Sequence, residues 1–207
     1  NNFFYLVFFS LCLFAVLLTI GPTLDMYIGN VFYLGNDRFV LESYYLITIV
    51  FREIFLPLIL FYFLILPFFS NFRFVKKIFF NYCFSYKEIF YIWLATSINI
   101  LLVINFFLKT FWGRSRPSDI MYEGAEGFFT PWYTFSNYCL SNCSFVSGDS
   151  AVGFSIIVLF FITNNIKYIY CSLFCGFLLG AVRILEGGHF ASDVIFSGII
   201  VYLLCFL

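Results

Sequence analysis

The chain has 207 residues, of which 63% are hydrophobic and 11% charged, and its mean hydropathy is +0.99. A soluble domain of this size keeps a largely polar surface and cannot hide so much apolar side chain, so lipid is the solvent that fits. The formal net charge is zero, which leaves no basic field to attract nucleic acid.

Six apolar stretches follow in chain order, at about Phe3–Ile20, Tyr45–Phe69, Glu88–Lys109, Ser150–Thr163, Tyr168–Leu185 and Phe190–Leu207. A helix needs roughly 20 such residues to cross a bilayer, and the fourth stretch reaches that only by including part of its flanks. The first follows Asn1-Asn2 without the basic start or cleavage site of a signal peptide, and reads as a retained helix. No internal repeat or low-complexity linker divides the chain. Residues 1–207 are therefore expected to form one all-α, polytopic domain, a bundle of six transmembrane helices. Basic residues orient it. Arg73, Lys76, Lys77 and Lys87 lie between the second and third spans, and Lys167 between the fourth and fifth, which predicts a cytoplasmic location for those turns and for both termini. The loops around 21–44, 110–149 and 183–193 then face outward. Arg52 and Glu53 interrupt the second span; Arg52 reads as an anchor snorkelling to the outer headgroup level, with a cavity-facing charge as the alternative.

Cys12, Cys171, Cys175 and Cys205 fall in apolar runs and Cys83 in a basic loop, where they are expected to be inert. Cys139 and Cys143 share a polar loop and read equally as a short-range disulfide or as two free thiols.

Three short segments collect the unusual polar residues. Lys109-Thr-Phe-Trp-Gly-Arg114-Ser-Arg116-Pro117 supplies guanidinium and ammonium groups suited to phosphate oxygens, or a set of interfacial anchors. Ser144-Phe-Val-Ser147-Gly148-Asp149-Ser150 opens an apolar helix and could bind an anion at its exposed backbone N–H groups, or simply cap it. Arg183-Ile-Leu-Glu-Gly-Gly-His189-Phe-Ala-Ser-Asp193 places the chain's only histidine four residues before an aspartate, on one helical face. Asp193 is expected to accept a hydrogen bond from one ring nitrogen and leave the other free as a nucleophile, although such a pair alone could be a helix-start cap. Together the segments surround a His–Asp pair with Lys109, Arg116, Ser147, Gly148 and Arg183 at the outer ends of the spans. That is the cationic cradle and oriented nucleophile that phosphoryl transfer requires. With no second histidine and no carboxylate cluster beside the pair, neither a metal nor another cofactor is expected.

These residues resemble the type 2 phosphatidic acid phosphatase superfamily. Its pattern is Lys-x6-Arg-Pro, Pro-Ser-Gly-His and Ser-Arg-x5-His-x3-Asp; the chain offers Lys109-x6-Arg116-Pro117, Val146-Ser147-Gly148-Asp149 and Val182-Arg183-x5-His189-x3-Asp193. The resemblance covers about 109–193. It implies a metal-independent phosphatase at the outer membrane–water interface, in which His189 forms a phosphohistidine and Asp193 orients it. Lys109, Arg116, Ser147, Gly148 and Arg183 would hold the phosphate. Where the family has a leaving-group histidine this chain has Asp149, expected either to serve as a general acid kept protonated by burial or a nearby phosphate dianion, or to cap the helix and hold a basic residue. Phe111-Trp112-Gly113-Arg114-Ser115-Arg116-Pro117 and Asn142-Cys143-Ser144-Phe145-Val146-Ser147-Gly148 are similar to the bacterial lipid A 4′-phosphatases. That similarity implies a periplasmic site on the inner membrane and a lipid A substrate. Glu123, Glu126, Trp132 and Tyr133 are then either sugar contacts or ordinary loop residues. Phosphatidylglycerol phosphate, phosphatidic acid and undecaprenyl diphosphate are the alternative substrates, phosphotransfer to a hydroxyl is a related chemistry, and a non-catalytic lipid-phosphate binder is the alternative class. No protein partner is indicated.

Overall fold

A computed structural model describes residues 15, 18–76 and 81–206. Most of the expected first span, Phe3–Ile20, lies outside the described residues, as do Lys77 and Leu207. From Gly21 onward the chain is mainly helical. α1 (Gly21–Phe32) leads into a two-strand ribbon of β1 (Tyr33–Gly35) and β2 (Arg38–Phe39), paired antiparallel. Then come α2 (Tyr45–Phe69), α3 (Tyr86–Phe111), α4 (Gly148–Thr163), α5 (Lys167–Leu185) and α6 (Ala191–Phe206). Among the described residues α2, α3 and α5 are long and apolar enough to cross a membrane, and α4 and α6 are shorter apolar helices.

The helix limits have local causes. Ser85 caps α3 by accepting from the Glu88 N–H, and the Glu88 carboxylate answers by accepting from the Ser85 N–H at 2.7 Å. Pro22 sits in the first turn of α1, where its missing N–H costs nothing. Asn164 takes a left-handed conformation, φ 52°, and ends α4.

The stretch 21–44 departs from the plain outer loop expected of it. It holds α1 and the ribbon because Asp25 is drawn into the protein by partners far away in sequence, as shown below.

The core of the bundle is α4, α5 and α6. A Cβ at Gly153 would lie 2.6 Å from the Cys175 carbonyl carbon, so α4 and α5 meet backbone to backbone. Ser150 Oγ donates to the Gly176 carbonyl at 2.7 Å and Ser172 Oγ to that of Phe154 at 2.6 Å, closing the pair from both sides. Small residues and cross-helix hydroxyl bonds are the means by which helices associate where apolar burial supplies little drive. Phe154 fills the space between Gly176 and Gly198. α3 joins α6 through Tyr91, whose hydroxyl donates to the Cys205 carbonyl at 2.5 Å, and α2 joins α3 through the Trp93 indole N–H on the Leu64 carbonyl at 3.0 Å. Only 11% of the most apolar window of α2 is buried, so this helix leaves most of its apolar surface uncovered. Lys109 near the end of α3, Asp149 at the start of α4, Arg183 near the end of α5 and Asp193 at the start of α6 all gather at one end of the bundle.

Candidate active site

His189 lies in the turn between α5 and α6. Gly187 has φ +69°, and a Cβ there would strike the Phe39 ring at 2.4 Å; a Cβ at Gly188 would strike the Arg183 guanidinium at the same distance. The paired glycines therefore let the turn pass between those side chains. The imidazole is 2% exposed, and its Nδ1 lies 2.6 Å from the Ser144 carbonyl oxygen. A carbonyl only accepts, so Nδ1 carries the hydrogen and Nε2 keeps its lone pair. Burial, reinforced by the Arg183 and Lys109 cations, outweighs the pull of Asp193 and pushes the imidazole down to about 4. That shift favours the neutral ring, with Nε2 unprotonated.

Asp193 does not take the ring hydrogen bond expected of it. Its Oδ2 is 3.8 Å from His189 Nδ1, beyond hydrogen-bond range. The carboxylate is already engaged. Oδ2 accepts from Ser144 Oγ at 2.5 Å and from the Phe190 N–H at 2.8 Å, while Oδ1 accepts from Arg114 Nη1 at 2.5 Å. Asp193 thus holds the ends of the two segments that hold the histidine, and Ser144 orients the ring through its main chain.

Arg114 is fully buried behind this pair. Its Nη2 reaches Asp25 Oδ2 at 2.8 Å, Nη1 also meets Ser192 Oγ at 2.9 Å, and Nε donates to the Thr130 carbonyl at 2.9 Å. Its charge also lies 4.3 Å from the centre of the Phe190 ring. Asp25 accepts from the Ser192 N–H at 2.9 Å and from Ser192 Oγ at 2.5 Å, which docks α1 on the start of α6. Burial pushes Asp25 above the usual carboxylate range, against the pull of Arg114.

In front of the histidine lies a cavity of about 440 Å³ lined by Arg52, Lys109, Arg116, Arg183, Asp149 and His189, with Tyr45, Thr48, Tyr122, Asn142 and Glu186 among its other walls. Arg116 Nε and Nη2 donate to the Asn142 carbonyl at 3.2 and 2.7 Å, and the Lys109 ammonium lies 3.4 Å from the Asn142 side-chain oxygen. Asn142 belongs to the loop closed by a Cys139–Cys143 disulfide, with the Cα atoms 5.6 Å apart, so the two cysteines left open by the sequence are joined. Arg183 pairs with Glu186 and, at 3.4 Å, with Asp149. Asp149 also faces Arg52 at 3.6 Å.

Five of the eight residues singled out by sequence line the cavity: Lys109, Arg116, Asp149, Arg183 and His189. The other three stand behind it. Ser147 is buried as the cap of α4, accepting from the Ser150 N–H, and its own N–H donates to the Asp193 carbonyl at 3.3 Å. Gly148 leaves room for the Lys109 ammonium, which a Cβ there would approach to 3.3 Å. Asp193 supports the histidine from below. Arg52 lines the cavity, whereas the sequence favoured a headgroup anchor. Asp25 carries no sequence signal as a site residue, and Ser144 and Ser192 lie within the second and third segments without being singled out there. Trp132 cannot serve as a sugar contact, because it is buried against Phe196 with ring centres 4.1 Å apart. Glu123 and Glu126 line a second recess that shares Ser118 and Tyr122 with the first.

A helical chain with a neutral, main-chain-oriented histidine facing a cationic cavity has the arrangement of a protein that binds an anionic ester. The model of the PAP2 superfamily matches residues 90–207, and the chain belongs to that superfamily. It is 32% identical over 199 residues to the lipid A 4′-phosphatase of Francisella tularensis subsp. novicida (strain U112), covering 93% of this chain and 88% of that protein. It is 34% identical over 101 residues to the lipid A 4′-phosphatase of Rhizobium leguminosarum, and 34% over 103 residues to that of Rhizobium etli. Those two matches cover 47% and 48% of this chain and 43% and 40% of the relatives. No solved structure matches the chain.

Proposed function

We propose that this phosphatase removes the 4′-phosphate of lipid A. The observation that carries the reading is His189 itself: its Nδ1–H is fixed on the Ser144 carbonyl, and its ring lines a cavity containing four cationic side chains. In this reading Nε2 attacks the phosphorus and the bond to the lipid oxygen breaks. The phosphoryl group rests on His189, and water then releases inorganic phosphate and restores the imidazole. Lys109, Arg116 and Arg183 hold the phosphate oxygens and the charge that develops on them. Gly148 gives Lys109 its place, and Ser147 fixes the start of α4. Asp193, held by Arg114 and Ser144, keeps the histidine turn in register.

Asp149 faces two guanidinium groups at rest and is addressed by both as a carboxylate. We assign it the transfer of a proton to the leaving lipid oxygen, the proton being taken up from solvent once the substrate's phosphate has drawn those cations away. Asp149→Asn should then slow the first chemical step sharply, and near-normal turnover would remove the assignment.

The chain is read as one phosphatase domain of six spans in the bacterial inner membrane, with both termini cytoplasmic and the cavity at the periplasmic interface. The basic turns between spans two and three and between four and five support that orientation. The test is incubation of the detergent-purified protein with bis-phosphorylated lipid A and mass spectrometry of the product. Loss of the 4′-phosphate is expected. No loss, with turnover of phosphatidic acid, phosphatidylglycerol phosphate or undecaprenyl diphosphate instead, would replace the substrate but keep the chemistry.

A further inference from the structure

We infer that Arg52, on α2 and outside the family-matched stretch 90–207, is a phosphate-binding residue of this site, exchanging its resting partner Asp149 for the phosphate of the substrate. The inference rests on reading the cavity as a phosphate site.

An arginine inside an apolar helix is costly to place and is retained where it meets water or a partner. Tyr45, Thr48 and Arg52 lie three and four residues apart, so they share one face of α2, and all three line the cavity. The guanidinium therefore faces the site, and its side chain is 47% exposed. Arg52 Nε and Arg183 Nε approach the same atom, Asp149 Oδ2, at 3.6 and 3.4 Å. Two guanidinium groups converging on one anionic oxygen is the arrangement a phosphate oxygen would receive. Neither contact is a hydrogen bond, and Asp149 Oδ2 and Arg183 Nε are buried without hydrogen-bond partners. That oxygen is thus met by charge without a hydrogen bond, so Arg52, whose side chain is half exposed, can turn to a better-matched anion while Arg183 stays paired with Glu186.

Charge balance points the same way. The cavity walls carry the cations Arg52, Lys109, Arg116 and Arg183 and the carboxylates Glu42, Asp149 and Glu186. Without Arg52 the formal charges of these walls would cancel, so Arg52 supplies their net positive charge. A headgroup anchor, by contrast, would have no reason to meet the same carboxylate oxygen as Arg183.

The experiment is titration of the full chain in detergent with inorganic phosphate, followed by calorimetry, for the wild type, Arg52→Ala, Arg52→Lys, Asp149→Asn and the Arg52→Ala/Asp149→Asn double variant. Arg52→Ala should weaken phosphate binding about 10-fold to 100-fold, the range of a hydrogen bond to a charged group. Arg52→Lys should recover part of the loss. Asp149→Asn should tighten binding when Arg52 is present and do so less in its absence. Wild-type affinity in Arg52→Ala, with its elution profile and helical signal unchanged, would overturn the role of Arg52 alone. Absence of phosphate binding by the wild type would overturn the reading of the cavity, and this inference with it.

Discussion

Arg114 and Arg116 are separated by one residue and carry the same guanidinium, yet they belong to two different regions of the molecule. Arg114 is 0% exposed and is surrounded by Asp25, Asp193, Ser192 and the Thr130 carbonyl. Arg116 faces the cavity and is steadied by one carbonyl, that of Asn142. The difference is one of partners. A buried guanidinium that has found two carboxylates is committed to structure, while one resting on a neutral carbonyl keeps its charge for a ligand. The same contrast separates the two layers of the site: a closed polar network below His189 that sets its position, and a cavity above it where Lys109 and Arg116 rest on Asn142 and only Arg183 has a close carboxylate, Glu186.

Substitutions in the two layers should separate stability from turnover. Arg114→Met leaves two buried carboxylates without their cation and should cost about 3–5 kcal/mol of stability. A large fall in Tm in detergent is expected, and an unchanged Tm would mean that the lower layer is not structural. Arg116→Ala should leave Tm nearly unchanged while lowering kcat/KM about 10²–10³-fold, as loss of a group stabilising transition-state charge does. Equal losses of stability in the two variants would erase the distinction.

Protonation should also distinguish the two layers. His189 is the chain's only histidine, so its ring resonances in an NMR titration need no assignment. The ring should stay neutral as pH falls through the ordinary histidine range and take up a proton only near 4, which is where turnover should be lost on the acid side. Titration near 6.5 would place the histidine in water rather than in the buried layer. The smallest effect is expected for Ser144→Ala, which removes the hydroxyl on Asp193 but keeps the carbonyl on His189. It should cost about 1–2 kcal/mol of stability and leave most of kcat, because the ring's own hydrogen bond is main chain.

The bounds of α2 through α6 were legible in the sequence to within about two residues, since an apolar run bounded by polar residues has few other foldings in lipid. The three short motifs likewise located His189, Lys109, Arg116, Arg183 and Asp149 around one cavity. Less could be read where the determining contact is distant or carries no side-chain signature. α1 is anchored by Asp25 on Arg114 and Ser192, 89 and 167 residues away, and no local periodicity announces that. The partner of His189 was misread because the group that binds it is a backbone carbonyl, which every residue possesses. Arg52 left a visible trace, a charge within an apolar stretch, but spacing alone could not choose between a headgroup and a cavity. The Cys139–Cys143 pairing stayed open for the same reason: it depends on a Cα separation that sequence does not contain.

The proposed mechanism turns on His189 as the nucleophile. It is tested most directly by quenching the enzyme in the first turnover with bis-phosphorylated lipid A and mapping bound phosphate by mass spectrometry under conditions that preserve phosphohistidine. A phosphoryl group is expected on His189 that disappears as inorganic phosphate is released, with none formed in His189→Ala. Turnover through a different phosphorylated residue, or full activity in His189→Ala, would contradict it.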